Sequence, residues 1–251
     1  MAGHSHWAGI KHKKAAADKK RGKIFSKMAK YITVAAKTGG GDPTMNAALR
    51  LAIDNARAQN MPKDAIDRAI KKGTGELDGE DYVELVYEGF APEQVALVVD
   101  ILTDNRNRTA SELRKFFEKK GGTLGNPGSV AWQFETKGQI HIEKATIGEE
   151  ELMDLVLEAG ADDMVTDGDI YIVSSTPDSF QAVKEALDTK EIATIHAEVD
   201  RVATTSVAIG DSAKAKKVLG FIEELEDHDD VQKVSANFDI PDAVFAEIEA
   251  E

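Results

Sequence analysis

The chain has 251 residues, with 31 Lys and Arg against 45 Asp and Glu, a formal net charge of −14, and is 42% hydrophobic and 30% charged. That balance describes a folded chain of two or three domains and excludes a disordered one. There is no cysteine, which excludes disulfides, thiolate-bound zinc and thiol catalysis. No apolar run approaches the length of a membrane span and the N-terminus has no secretory apolar core, so a soluble, cytoplasmic protein is expected.

The charge is unevenly placed. The first 37 residues hold ten lysines and arginines and one acid, Asp18; through residue 80 the net charge is +8, and beyond it −22. A basic module on an acidic body points to a polyanionic partner.

Positions 14–38 predict a long helix with two opposed faces. Phe25, Met28, Ile32 and Ala35 form an apolar stripe, with Lys19, Lys23, Lys27, Lys30 and Lys37 roughly opposite. The glycines and proline at 39–43 end it. A second helix is expected over 46–59 with Leu49, Ala52, Ile53 and Ala56 as its stripe, and a third over 61–72, with Pro62 suited to a first helical position. Residues 1–79 therefore read as a basic all-helical domain.

Past residue 80 β-branched runs alternate with helices. Strands are expected at 95–103 and 130–134, around a helix at 106–120. From 139 the order is strand, helix, strand, a turn at Gly168, strand, helix and strand (193–200), a complete βαββαβ. A strand (203–209), a helix (212–226) and a strand (231–238) follow. Joined to the elements at 95–134, these make a second βαββαβ interrupted by the first. The expected fold is α+β and multidomain: an N-terminal three-helix domain (1–79) and two ferredoxin-like α/β domains. The third of these (136–203) is inserted into a discontinuous second (80–135 and 204–251).

The chain carries no P-loop, no dinucleotide fingerprint, no nucleophile elbow and no H-E-x-x-H. It reads as a non-enzyme, with no cofactor or metal expected. Two stretches have metal-binding character. An Ala-Gly-His start, exposed by loss of Met1, could offer nitrogen ligands to copper(II) or nickel(II); a polar tail holding His4, His6 and His12 is the simpler account. Acids from Glu223 to Asp230 could draw Mg²⁺; a solvated helix end and turn is simpler, and such acids could also confine nucleic acid to the basic module. Acids there are unfavourable to the helix dipole.

The candidate nucleic-acid surface is the basic block Lys11, His12, Lys13, Lys14, Lys19, Lys20, Arg21, Lys23, Lys27 and Lys30. A solvated face, or a helix lying on an anionic membrane, is the alternative reading. The nearly uncompensated charge and the alanine-rich apolar face favour nucleic acid. If about five of these charges meet phosphates, affinity for duplex DNA falls with salt at a log–log slope near ~−4.5. Trp7 and Tyr31 could stack on unpaired bases. A second patch lies at Arg106 and Arg108, where a helix capped by Thr109 or Ser111 would present N–H groups to an anion. Arg114, Lys115, Lys119 and Lys120 follow it, and the loop at 121–129 is rich in glycine.

The blocks MAGHSHWAGIKHKKAAADKKRGKIF, GGGDP, NMPKDAIDRAIKKGTGE, YEGFAP, TDNRNRTASELR, GGTLGNPGSVAWQF and NFDIPD, in this order, resemble the YebC/PmpR family over nearly the whole chain. The resemblance implies three domains, an N-terminal helical one and two α/β ones, and no catalysis or cofactor. It implies a DNA-binding transcriptional regulator, or a ribosome-associated translation factor like the mitochondrial translational activator among the relatives. On this chain it marks the block from Lys11 to Lys30 as the first surface, with Arg106 and Arg108 secondary. The chain departs from the family at His6, Gly9 and Ala47-Ala48, each a modest loss of basic or polar contact.

The partner is therefore expected to be DNA or ribosomal RNA, with no membrane; oligomeric state is not readable. Lysine is a point-charge phosphate binder, and no helix carries Arg, Asn and Gln spaced for base edges. A third reading is an acidic scaffold whose basic head docks on its own body. Glutamine at Lys19, Lys23, Lys27 and Lys30 is expected to abolish binding at little cost in stability.

Overall fold

The computed structural model describes residues 18–250. Three helices open it: α1 (Asp18–Gly39), α2 (Ala47–Ala58) and α3 (Lys63–Gly73). Their stripes meet as expected, Ile32 and Ala36 packing on Leu49, Ile53, Ala56, Ile66 and Ala69, with Phe25 and Met28 at the edge. Asn46 caps α2 by accepting from the Leu49 N–H at 3.0 Å, and its amide donates to the carbonyls of Ala35 and Gly40, fixing the turn between α1 and α2. Pro62, expected as the first helical residue of α3, is instead its cap, one position ahead of Lys63.

The middle region holds β1 (Val83–Phe90), β2 (Ala96–Thr103), α4 (Arg106–Lys120) and the short β3 (Thr123–Leu124). The chain then makes β4 (Phe134–Glu143), α5 (Glu149–Glu158), β5 (Asp163–Asp167), β6 (Ile170–Ser175), α6 (Pro177–Thr189) and β7 (His196–Ala203). It returns through β8 (Val207–Ala208), α7 (Ser212–Glu226), β9 (Val231–Ala236), β10 (Phe238–Asp239) and α8 (Asp242–Ala250).

The second group forms an antiparallel sheet in the order β5-β6-β4-β7. Numbered within the unit this is 2-3-1-4, the ferredoxin-like arrangement, with Leu152, Val156, Phe180, Val183 and Leu187 of α5 and α6 packed on Ile140, Ile142 and Val173.

The other sheet has the order β3-β1-β2-β9, also antiparallel. Counted from β2 as the first strand, it too reads 2-3-1-4. Its third position, however, is filled from upstream by β1 and not by 203–209. That stretch divides between the end of β7 and β8, and β8 pairs in parallel with β10. The region 130–134, expected as a strand, is a 3-10 turn at Ala131–Gln133 leading into β4; the strand after α4 is Thr123–Leu124. VELVYEGF interleaves acids and a glycine with its apolar residues, which weakens the alternation signal for β1. Leu85 and Tyr87 nonetheless pack on the core of α4 and α7, and the ladder with β2 runs from Val83 to Phe90.

Glu88 secures the loop after β3. Its carboxylate, 7% exposed, accepts from the N–H groups of Gly128, Val130 and Ala131 at 2.6, 2.7 and 2.7 Å. Burial alone would raise its pKa, but these three donors hold it below the ordinary value. The two α/β units are joined by Arg201 to Asp100 at 2.7 Å and by Lys233 to Glu198 at 2.7 Å and to Asp200.

Candidate nucleic-acid interface

Helix α7 ends badly by itself. Its last turn holds Glu223, Glu224 and Glu226 and no basic residue, so like charge sits at the negative end of the dipole and the final carbonyls lack partners in the helix. The cations come from α1. Lys27 Nζ donates to the Glu226 carbonyl at 2.5 Å, Lys23 Nζ to that of Asp227 at 2.8 Å, and Lys30 Nζ to that of Asp229 at 3.0 Å. The spacing 23, 27, 30 is one helical stripe, so a single face of α1 lies along the acidic turn.

Lys30 also pairs with the Asp230 carboxylate at 2.9 Å. Asp230 collects Arg108 Nη2 at 2.9 Å, Thr109 Oγ1 at 2.8 Å and Thr103 Oγ1 at 3.2 Å. Burial alone would raise its pKa; the hydrogen bonds from Lys30, Arg108 and Thr109 overcome this and hold the carboxyl far below the carboxylate range. Arg108, bonded to Asp230 and Asp104, is shifted up and stays charged.

Several expectations change. Asn105, not Thr109 or Ser111, caps α4, its side chain accepting from the Arg108 N–H at 3.1 Å. Thr109 is buried on Asp230. The anion position expected beside Arg108 is taken by Asp104 and Asp230, while Arg106 is exposed. The acids of 223–230 do form a helix end and turn, with Glu224, Asp227 and Asp229 exposed, but Asp230 is buried and α1 lies along the turn. Tyr31 lies near Glu198, Asp100 and Glu84; burial first, then these carboxylates, push its phenol up, and such neighbours repel a phosphate backbone.

Of the other nominated residues, Lys11, His12, Lys13 and Lys14 lie outside the described residues, as do His4, His6 and Trp7. Lys19, Lys20 and Arg21 belong to α1. The structure thus brings Lys23, Lys27, Lys30 and Arg108 together at one acidic centre, joining two patches the sequence kept apart. Lys115 and Lys119 of the second patch lie close by. Spaced four apart on α4, they are exposed and line a cleft between α1 and the middle domain. The cleft is lined by five cationic side chains and six carboxylates, so with the acidic turn in place it carries no excess positive charge for a phosphate.

Two donor groups have metal-like spacing, Glu112 with His228 and Asp230, and His196 with Glu198 and Asp200. Lys30 and Arg108 already balance the first, and Lys233 the second. No helix among the described residues is long and apolar enough to cross a membrane.

Comparison with known proteins places this architecture. The model of the "TACO1/YebC second and third domain" matches residues 82–238, and that of the "TACO1/YebC protein N-terminal domain" matches residues 5–76. The chain belongs to the TACO1/YebC family. A relative from Natranaerobius thermophilus is 54% identical over 97% of this chain and 98% of its own, and one from Halothermothrix orenii is 51% identical over 100% of both. Each is named "Probable transcriptional regulatory protein". The crystal structure of a conserved hypothetical protein from Aquifex aeolicus superposes with a TM-score of 0.84 at 46% identity, covering 94% of this chain and 97% of that one.

Proposed function

We propose that this protein is a nucleic-acid-binding regulator of gene expression, acting without catalysis, whose primary surface is the basic face of the N-terminal helical domain. The observation that carries the reading is the separation of charge, +8 through residue 80 and −22 beyond it, on a helix whose lysines are spaced as a single stripe. The names of the relatives support a role in transcriptional regulation. Of the secondary pair Arg106 and Arg108, Arg106 is exposed, while Arg108 is engaged by Asp104 and Asp230.

A translation role through ribosomal RNA is the second reading, favoured by one feature. The α1 stripe is lysine, and in the folded chain its ammonium groups contact carbonyls and a carboxylate, as point-charge donors do. That chemistry suits phosphate and shape more than base edges.

Competition distinguishes the two. Labelled protein is offered intact ribosomes and fragmented genomic DNA together at near-physiological salt. Retention on particular DNA fragments supports transcription, and retention on ribosomes supports the RNA reading. Capture by neither, with no salt-sensitive binding, leaves the docked-scaffold reading.

A further inference from the structure

The lysines best placed to hold phosphates are already engaged by the protein itself. Lys27, Lys23 and Lys30 meet three carbonyls at the end of α7, those of Glu226, Asp227 and Asp229 in turn, and Lys30 adds the Asp230 carboxylate. To a lysine stripe this turn offers what a phosphate backbone offers: a row of oxygen acceptors in a field of negative charge, here a helix C-terminus flanked by carboxylates. The side chains of Asp227 and Asp229 line the same cleft, where they repel a second polyanion.

We propose that the acidic turn 226–229 is an internal mimic of nucleic acid that latches the α1 lysine face, so that nucleic acid engages Lys23 and Lys27 only by displacing the turn, while Lys30 stays anchored on Asp230. The inference rests on the nucleic-acid reading above and adds its regulation. The contacts have the right character for a reversible latch. Lys23, which is exposed, and Lys27 each donate to a carbonyl at the helix end. Such contacts are modest and salt-sensitive. They are exchanged one for one when phosphates replace carbonyls. Because the latch removes a fraction of the protein from the binding-competent state, apparent affinity is reduced by that fraction.

The absence of cysteine permits a clean test. Ser26→Cys and Asp229→Cys place one thiol on each wall of the cleft, since both positions line it. The full-length double variant is bridged by a short bis-maleimide with a cleavable spacer, and a control carries one small maleimide on each thiol. Binding to a random-sequence DNA duplex and to purified ribosomal RNA is measured before bridging, after bridging and after cleavage of the spacer.

The latch predicts that bridging weakens binding at least about tenfold relative to the control and that cleavage restores it. Equal affinity in bridged and control protein overturns the latch and leaves the nucleic-acid reading standing. Failure of the unbridged and unsubstituted proteins to bind either probe removes that reading, and the latch with it.

Discussion

Lys30 and Asp230 meet at 2.9 Å across the junction of the helical and middle domains, with side chains only 12% and 4% exposed. The pair joins the two surfaces nominated for nucleic acid, because Arg108 shares the same carboxylate. Its burial makes the carboxylate a structural centre of the junction. An ion pair withdrawn from water is costly to break from one side only.

Asp230→Ala leaves Lys30 and Arg108 without their shared anion and is expected to cost about 3–5 kcal/mol, read by urea denaturation at pH 7. Asp230→Asn separates charge from shape. Because the folded pKa is depressed, the contribution is complete above the ordinary carboxylate pKa of about 4 and declines as pH falls below it. The stability gap between wild type and Asp230→Asn therefore narrows as pH falls below about 4. A gap constant from pH 7 to pH 2 contradicts the assignment.

Glutamine at Lys23, Lys27 and Lys30 is expected to lower stability, where the sequence alone led to an expectation of little cost. Each lysine caps a carbonyl, and Lys30 also holds Asp230, so the triple variant should lose about 2 kcal/mol, most of it from Lys30. Thermal unfolding of the single and triple variants checks this. A triple variant within error of wild type would show that α1 does not rest on the acidic turn in solution.

Glu88→Ala leaves three backbone N–H groups of the 128–131 segment without an acceptor and should destabilise the middle domain by about 2–4 kcal/mol. Trp132, 71% exposed and on the same segment, reports loss of order as a fall in fluorescence anisotropy. Unchanged stability and anisotropy would mean that the loop holds without Glu88.

Gly73 lies where α3 crosses α1, and a Cβ there would come within 2.3 Å of the Thr33 carbonyl oxygen. Gly73→Ala should cost about 1–3 kcal/mol by overpacking. Gly22, with nothing within 4 Å of its Cβ position, is the control: Gly22→Ala should be neutral or stabilise by up to about 1 kcal/mol through helix propensity. Equal effects at the two sites would argue against the close crossing.

Much of the fold was legible because it is written in local periodicity. The α1 stripe of Phe25, Met28 and Ile32, the helix over 106–120 and the βαββαβ order from 139 onward all occur where expected. The third strand of the middle sheet was not legible. A strand's partner is chosen by long-range pairing, and β1 reaches that position from upstream while 203–209 turns aside to β10. Thr109 shows the same limit at one residue: its type suits a helix cap, but Asp230, distant in sequence, claims its hydroxyl.

By itself the sequence determined the segregation of charge, the three-helix module, the layered α/β units and the family, since these rest on composition, short-range patterning and ordered blocks. Only the tertiary structure decided where the lysine face of α1 goes. Spacing shows that Lys23, Lys27 and Lys30 share a stripe, but a stripe has no partner until folding places one opposite. Here the partner is a helix end with unsatisfied carbonyls and the wrong charge of its own, some two hundred residues away along the chain, a separation that only chain folding can close.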